Sequence, residues 1–147
     1  MQGLDWGRAT QEIAGAVRFL RETEGAPRVG VVGFCMGGAL TMLAATQPGV
    51  DAYAAFYGFP QKGAAPLESI TAPGIIFFGE QEGFFSVPDA RAFVEAQKQR
   101  GRVADIVVYP GAGHAFFNND RPEAYRAAPA SDAWRRTLDV FATHLLG

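Results

Sequence analysis

The chain has 147 residues, enough for one domain that buries roughly 70% of the surface its unfolded form exposes, and too few for two. Thirteen basic against fifteen acidic residues give a formal charge of −2 with no basic run, which argues against nucleic acid and anionic membranes and for a small-molecule partner. One cysteine excludes an internal disulfide and a redox pair and suits a reducing compartment; with no basic leader and no apolar stretch long enough to span a bilayer, a cytoplasmic protein is expected.

Residues 6–22 carry Ile13, Ala16, Val17, Phe19 and Leu20 with charged side chains between them, the stripe of an amphipathic helix, and Gly25-Ala26-Pro27 ends it. Residues 29–34 form a continuous apolar run, the pattern of a parallel strand covered on both faces. A helix is predicted over 38–46, closed by Gln47-Pro48-Gly49, then a strand over 52–57 and a Gly-, Ala- and Pro-rich loop over 58–73. A strand over 74–78 precedes a loop at 79–83, and a helix over 88–101 turns Ala90, Phe93, Val94 and Ala96 inward. A strand over 104–109 leads into a loop at 110–114, and a last helix over 131–146 has Ser131 and Asp132 as its expected caps. Strands alternate with helices throughout. The expected fold is therefore α/β, a single domain over 1–147 with about four parallel strands, right-handed crossovers and helices on both faces.

The chemistry concentrates where the first strand ends. Gly33-Phe34-Cys35-Met36-Gly37 has the spacing of the G-x-S-x-G nucleophile elbow with a thiol in place of the hydroxyl. The glycines two residues either side are read as the condition for strand and helix to approach closely around a strained turn. At a helix N-terminus the dipole favours a thiolate, and the Met36 N–H points where an oxyanion would form. The bland alternative is a small buried cysteine ending a core strand.

In an open parallel sheet the loops at the carboxyl ends of the strands form the ligand crevice. Cys35, the Glu80/Glu82 loop and His114 each follow a strand, in the order nucleophile, acid, histidine. In that arrangement His114 takes the thiol proton and later returns it to the leaving alkoxide, while a carboxylate holds the imidazole tautomer. His144, in the last helix, is read as a favourable cation near a helix C-terminus without a catalytic role. Phe34, Tyr57, Phe59, Phe84, Phe85, Phe116 and Phe117 fall in or beside these loops; Phe34 and the Phe84-Phe85 and Phe116-Phe117 pairs are the expected lining of an apolar substrate pocket.

Four stretches together resemble the dienelactone hydrolase family of α/β-hydrolases: Gly33-Phe34-Cys35-Met36-Gly37-Gly38, Phe78-Gly79-Glu80-Gln81-Glu82, Tyr109-Pro110-Gly111-Ala112-Gly113-His114-Ala115-Phe116 and Ala133-Trp134-Arg135-Arg136-Thr137-Leu138. The resemblance covers nearly the whole chain. It implies a minimal α/β-hydrolase core, Cys35 as nucleophile, His114 as base, and hydrolysis of an ester or lactone through a thioester acyl-enzyme without metal or organic cofactor.

Three departures qualify it. The family usually has aspartate where this chain has Glu82, which is the first choice for the acid, with Glu80 and Asp89 as alternatives. The dicarboxylate-binding arginine expected shortly after the histidine is missing; that stretch reads Phe116-Phe117-Asn118-Asn119, and Arg121 is not assigned its role. Several strands and loops that precede the first helix in family members, one of them carrying the second oxyanion-hole N–H, have no counterpart here. The chain is then either a fragment or a minimal hydrolase that covers the edge of strand 29–34 by self-association, as a homodimer or higher oligomer. The readings carried forward are a hydrolase of small apolar esters or lactones and, against it, a catalytically weak binding or scaffold protein that keeps the fold.

Overall fold

A computed structural model describes residues 3–146. Four strands, β1 (Gly30–Phe34), β2 (Ala52–Phe56), β3 (Gly74–Gln81) and β4 (Ala104–Gly113), alternate with helices α1 (Trp6–Glu22), α2 (Met36–Ala44), α3 (Val87–Gln99) and α4 (Ala127–Leu145); a short 3-10 turn, Leu67–Ser69, interrupts the loop before β3. All three strand pairs are parallel and the order in the sheet is β1-β2-β3-β4. Right-handed crossovers that step in one direction put their helices on one face. Accordingly α2 packs on β1 and β2, α3 packs on β4, and α1 lies against α2, while α4 crosses beneath β2 and β3 on the other face. The expected four-stranded parallel α/β sheet with helices on both faces is present.

The core is aromatic where the strands run side by side. Phe34, Phe56 and Phe77 occupy one register row across β1, β2 and β3, with ring centroids 4.6 and 4.7 Å apart. Phe56, Phe77, Phe78, Tyr53, Met42 and Ile76 are fully buried, each burial worth about 1.5–3 kcal/mol. Gln97, buried under α3, donates through Nε2 to the Ile70 carbonyl at 2.7 Å, which keeps a polar group in the core satisfied.

Element ends differ from expectation in instructive ways. The second helix begins at Met36, immediately after Cys35, because the chain reverses in a single residue. The third and fourth strands reach Gln81 and Gly113, not 78 and 109, pairing past a register irregularity between Gly79 and Gln81. The last helix starts at Ala127 with Arg126 as its N-cap residue, so Ser131 and Asp132 do not cap it. Pro129, which reads as a breaker, sits in the first turn, where its missing N–H costs no intrahelical bond. Asp132 instead accepts from Tyr109 on β4 at 2.8 Å and from Arg135 and Arg136 at 2.8 and 2.7 Å, fastening α4 to the sheet. Among the described residues no helix is long and apolar enough to cross a membrane.

Candidate active site

Cys35 joins β1 to α2 with φ 56° and ψ −121°, a conformation that side chains rarely adopt. Its N–H donates to the Phe56 carbonyl at 3.0 Å and its carbonyl accepts from the Gly38 N–H at 2.9 Å, so both backbone groups are fixed by the neighbouring strand and by the helix. A Cβ at Gly33 would overlap the Gly37 carbonyl, which explains the first flanking glycine. At Gly37 itself a Cβ would meet nothing, so the equal reason given to the second glycine is corrected. The further close approach is made by Gly58, whose Cβ would overlap the Cys35 carbonyl.

Three groups meet at the carboxyl edge of the sheet. His114 Nε2 lies 3.2 Å from Cys35 Sγ, and His114 Nδ1 lies 2.9 and 3.1 Å from the two Glu82 oxygens. The Glu82 side chain is wholly buried and the His114 side chain 16% exposed. A carboxylate can only accept, so the neutral imidazole carries its proton on Nδ1 and turns the Nε2 lone pair to the thiol. Glu82 Oε1 also accepts the Phe84 N–H at 2.8 Å, which pins the carboxylate from a second side.

The two alternative acids lie elsewhere. Glu80 accepts the Gly111 N–H at 3.1 Å, and Asp89 is in the first turn of α3. Neither bonds His114. β3 runs on to Gln81, so Glu82 leaves directly from the strand end.

Backbone strain gathers at this place. Among the described residues the non-glycines with positive φ are Cys35, Tyr57 at 36° and Ala115 at 63°. All three border one cleft of about 420 Å³, lined also by Phe34, His114, Phe117, Asn118, Asn119 and Arg121. Strain of this kind costs about 1–3 kcal/mol per residue and persists where packing enforces it. The Tyr57 ring meets His114 edge-on at 5.2 Å, and burial first, then the nearness of Cys35, push its hydroxyl pKa up.

The aromatic residues singled out in the sequence separate into groups. Phe34 and Phe117 line the Cys35 cleft; Phe84 and Phe85 stand against the His114 ring, with centroids 4.7 and 6.0 Å away. Phe116 does not line it: its ring is fully buried between Tyr57 and Tyr109. The turn at Ala115 is the reason, since it sends consecutive side chains to opposite sides of the loop. Met36 is the first residue of α2, where a backbone N–H has no intrahelical acceptor. Among the described residues no group of three or more His, Cys, Asp or Glu is placed to hold a metal ion.

Sequence reading missed Gly58 and left Arg121 without a place. Tyr57-Gly58 at a strand end is a turn signal that could have marked the first. Arg121 enters the cleft only through the fold of the 115–126 loop, whose chain turns back as the Arg126 N–H donates to the Phe116 carbonyl at 2.9 Å.

The sequence matches the dienelactone hydrolase family over residues 1–145. It is 31% identical over 159 residues to a Bradyrhizobium protein named as a probable 2-oxo-3-(5-oxofuran-2-ylidene)propanoate lactonase, covering 100% of this chain and 64% of that protein. It is 37% identical over 142 residues to a Methylorubrum extorquens protein provisionally named carboxymethylenebutenolidase, covering 88% of this chain and 48% of that one. A crystal structure provisionally assigned as a dienelactone hydrolase of Klebsiella pneumoniae superposes with a TM-score of 0.79 at 27% identity, over 95% of this chain and 62% of that one. The chain thus spans about half to two thirds of the length of these relatives.

Proposed function

The chain belongs to the dienelactone hydrolase family, and from that premise we propose that it hydrolyses carboxylic esters or lactones with Cys35 as nucleophile, His114 as base and acid, and Glu82 as the group that orients the imidazole. The observation that carries this reading is the unbroken chain of contacts from Cys35 Sγ through His114 to a buried Glu82 carboxylate.

The Cys35 proton passes to His114 Nε2, and the thiolate forms a C–S bond with the substrate carbonyl carbon. The carbonyl electron pair moves onto oxygen, where the Met36 N–H donates to it. The intermediate collapses with cleavage of the C–O bond, and the Nε2 proton goes to the departing alkoxide. Water, deprotonated by the same nitrogen, then attacks the thioester; the C–S bond breaks, the carboxylic acid leaves and the thiol is restored. Small apolar esters suit the aromatic surroundings of Cys35 and His114. The absence of any cysteine other than Cys35 is in keeping with a reducing cytoplasm.

One observation favours the weaker alternative, a binding or scaffold protein: Met36 is the single oxyanion donor identified, and loss of one such donor costs about 3 kcal/mol. Hydrolysis of p-nitrophenyl acetate and butyrate separates the two. The intact chain is expected to turn over both esters, Cys35→Ala and iodoacetamide-treated protein neither, and Cys35→Ser is expected to retain a small fraction of the rate. Alkylated protein that works at the unmodified rate would remove Cys35 from the mechanism.

A further inference from the structure

We propose that the leaving alcohol of the ester is apolar and seats in a second pocket, on the side of His114 that carries Phe84 and Phe85. The inference rests on the hydrolase reading above and adds the half of the substrate that this pocket selects.

The pocket measures about 330 Å³ and is walled by Trp6 of α1, Leu43 of α2, Phe59 and Ala64 of the loop after β2, and the Phe84-Phe85 pair after β3. Its size is at the lower end of small-molecule sites, suited to a short alkyl or single aryl group. It does not include Cys35, yet it shares a wall with the reacting groups. Phe84 lines it and also stands 4.7 Å from the His114 ring, and Phe85 lines it and lies nearly parallel to that ring at 6.0 Å. Phe84 is 70% exposed, so most of its ring is open to a ligand, and its N–H is tied to Glu82. The carboxylate that orients the histidine therefore also fixes the pocket wall.

Proton transfer decides which part of the substrate comes here. Nδ1 is engaged by Glu82, so only Nε2 can give its proton to the departing oxygen. The leaving oxygen must come to Nε2, and in this assignment its substituent passes the Phe84 and Phe85 rings, which stand against His114, into the pocket they wall. The cleft of Cys35 carries Asn118, Asn119 and Arg121 and takes the acyl part in this assignment. An apolar alcohol thus gains burial against Phe84, Phe85 and Leu43, whereas a methyl or ethyl group reaches little of it.

The test varies the alcohol while its acidity stays nearly constant. With ethyl, butyl and hexyl acetates, kcat/KM, which reports thioester formation, is expected to rise about tenfold from ethyl to hexyl, a conservative figure for four methylenes entering an apolar pocket. Ala64→Trp, at a solvent-exposed loop position that lines the pocket, fills it from outside the core. This variant should flatten the alcohol series from ethyl to hexyl acetate, while the slope of the acyl series from ethyl acetate to ethyl hexanoate stays as in wild type. An alcohol series that Ala64→Trp does not alter, or an effect confined to the acyl series, would overturn the assignment. Binding is read separately in Cys35→Ala protein, where 1-hexanol should change tryptophan emission because Trp6 lines the pocket, and should cease to do so when Trp6→Phe is added. If no ester is hydrolysed but hexanol responds in this way, the pocket stands and the hydrolase reading falls; if hexanol evokes no change, the pocket falls whatever the activity.

Discussion

Glu82 accepts from two donors, the Nδ1–H of His114 and the N–H of Phe84, and no other carboxylate of the edge reaches the imidazole. In Glu82→Gln one of the two acceptor oxygens becomes an NH₂, and the nearer of the two contacts to Nδ1, 2.9 Å from Oε2, is the one at stake. Retaining Phe84 presents an NH₂ to Nδ1 and drives the imidazole towards the wrong tautomer. We expect kcat to fall about 100-fold or more with little change in KM, since orientation of the imidazole matters mainly in the transition state. Glu80→Gln should behave almost as wild type, because an amide oxygen can still accept the Gly111 N–H. Steady-state kinetics of the two variants on p-nitrophenyl butyrate decide the point; the reverse pattern would transfer the acid's role to Glu80.

At the scale of elements, the polar fastening between β4 and α4 sets an expectation for pH. The Asp132 carboxyl is held down to about 2 from an ordinary 3.8 by hydrogen bonds from Arg136, then Arg135, then Tyr109. Burial and that same hydrogen bond push the Tyr109 hydroxyl up. A carboxyl with a depressed folded-state pKa binds its proton more readily in the unfolded chain. Its stabilising contribution is complete above pH 3.8 and is lost as the pH falls through about 2. Urea midpoints measured from pH 5 to pH 2 should therefore decline less steeply in Asp132→Asn than in wild type. The loss is partial, since Asp132 is a third exposed and the pair is screened by solvent. An identical decline in both proteins would dismiss the fastening as a source of stability.

For the whole molecule the exposed feature is the β1 margin. Val29 accepts from the Asp51 N–H and Cys35 donates to the Phe56 carbonyl, so the odd-numbered residues face β2. By alternation Gly30, Val32 and Phe34 turn their N–H and C=O groups to the open edge. Val32 is 39% and Phe34 37% exposed, and the apolar surface continues from Phe34 through Phe117 to Trp134, with centroids 5.2 and 5.9 Å apart. Open, apolar strand edges invite pairing, and a two-fold axis beside β1 would join two such edges antiparallel. We propose that this chain is a homodimer through β1. Light scattering at micromolar concentration should give twice 15.7 kDa, and Val32→Lys, which places a charge in the seam, should give one chain's mass. A monomer in wild type would rule the dimer out.

Much of this was legible in the sequence because it depends on local order. Apolar periodicity marked the four strands and four helices, and the glycine spacing marked Cys35. The placing of Cys35, Glu82 and His114 after β1, β3 and β4 followed from the rule that crevice loops lie at strand ends. What the sequence left open were contacts between distant segments. Which of Glu80 and Glu82 stands against His114 depends on how far β3 pairs with β4, and residues two apart along an extended strand could each have met the histidine. Phe116 and Phe117 were indistinguishable as neighbours until the turn at Ala115 sent one to the core and one to the cleft. Gly58 and Arg121 acquire their places only from the return of the chain upon Cys35. Periodicity is a property of one segment, whereas a site is a set of distances among several, and packing alone fixes those.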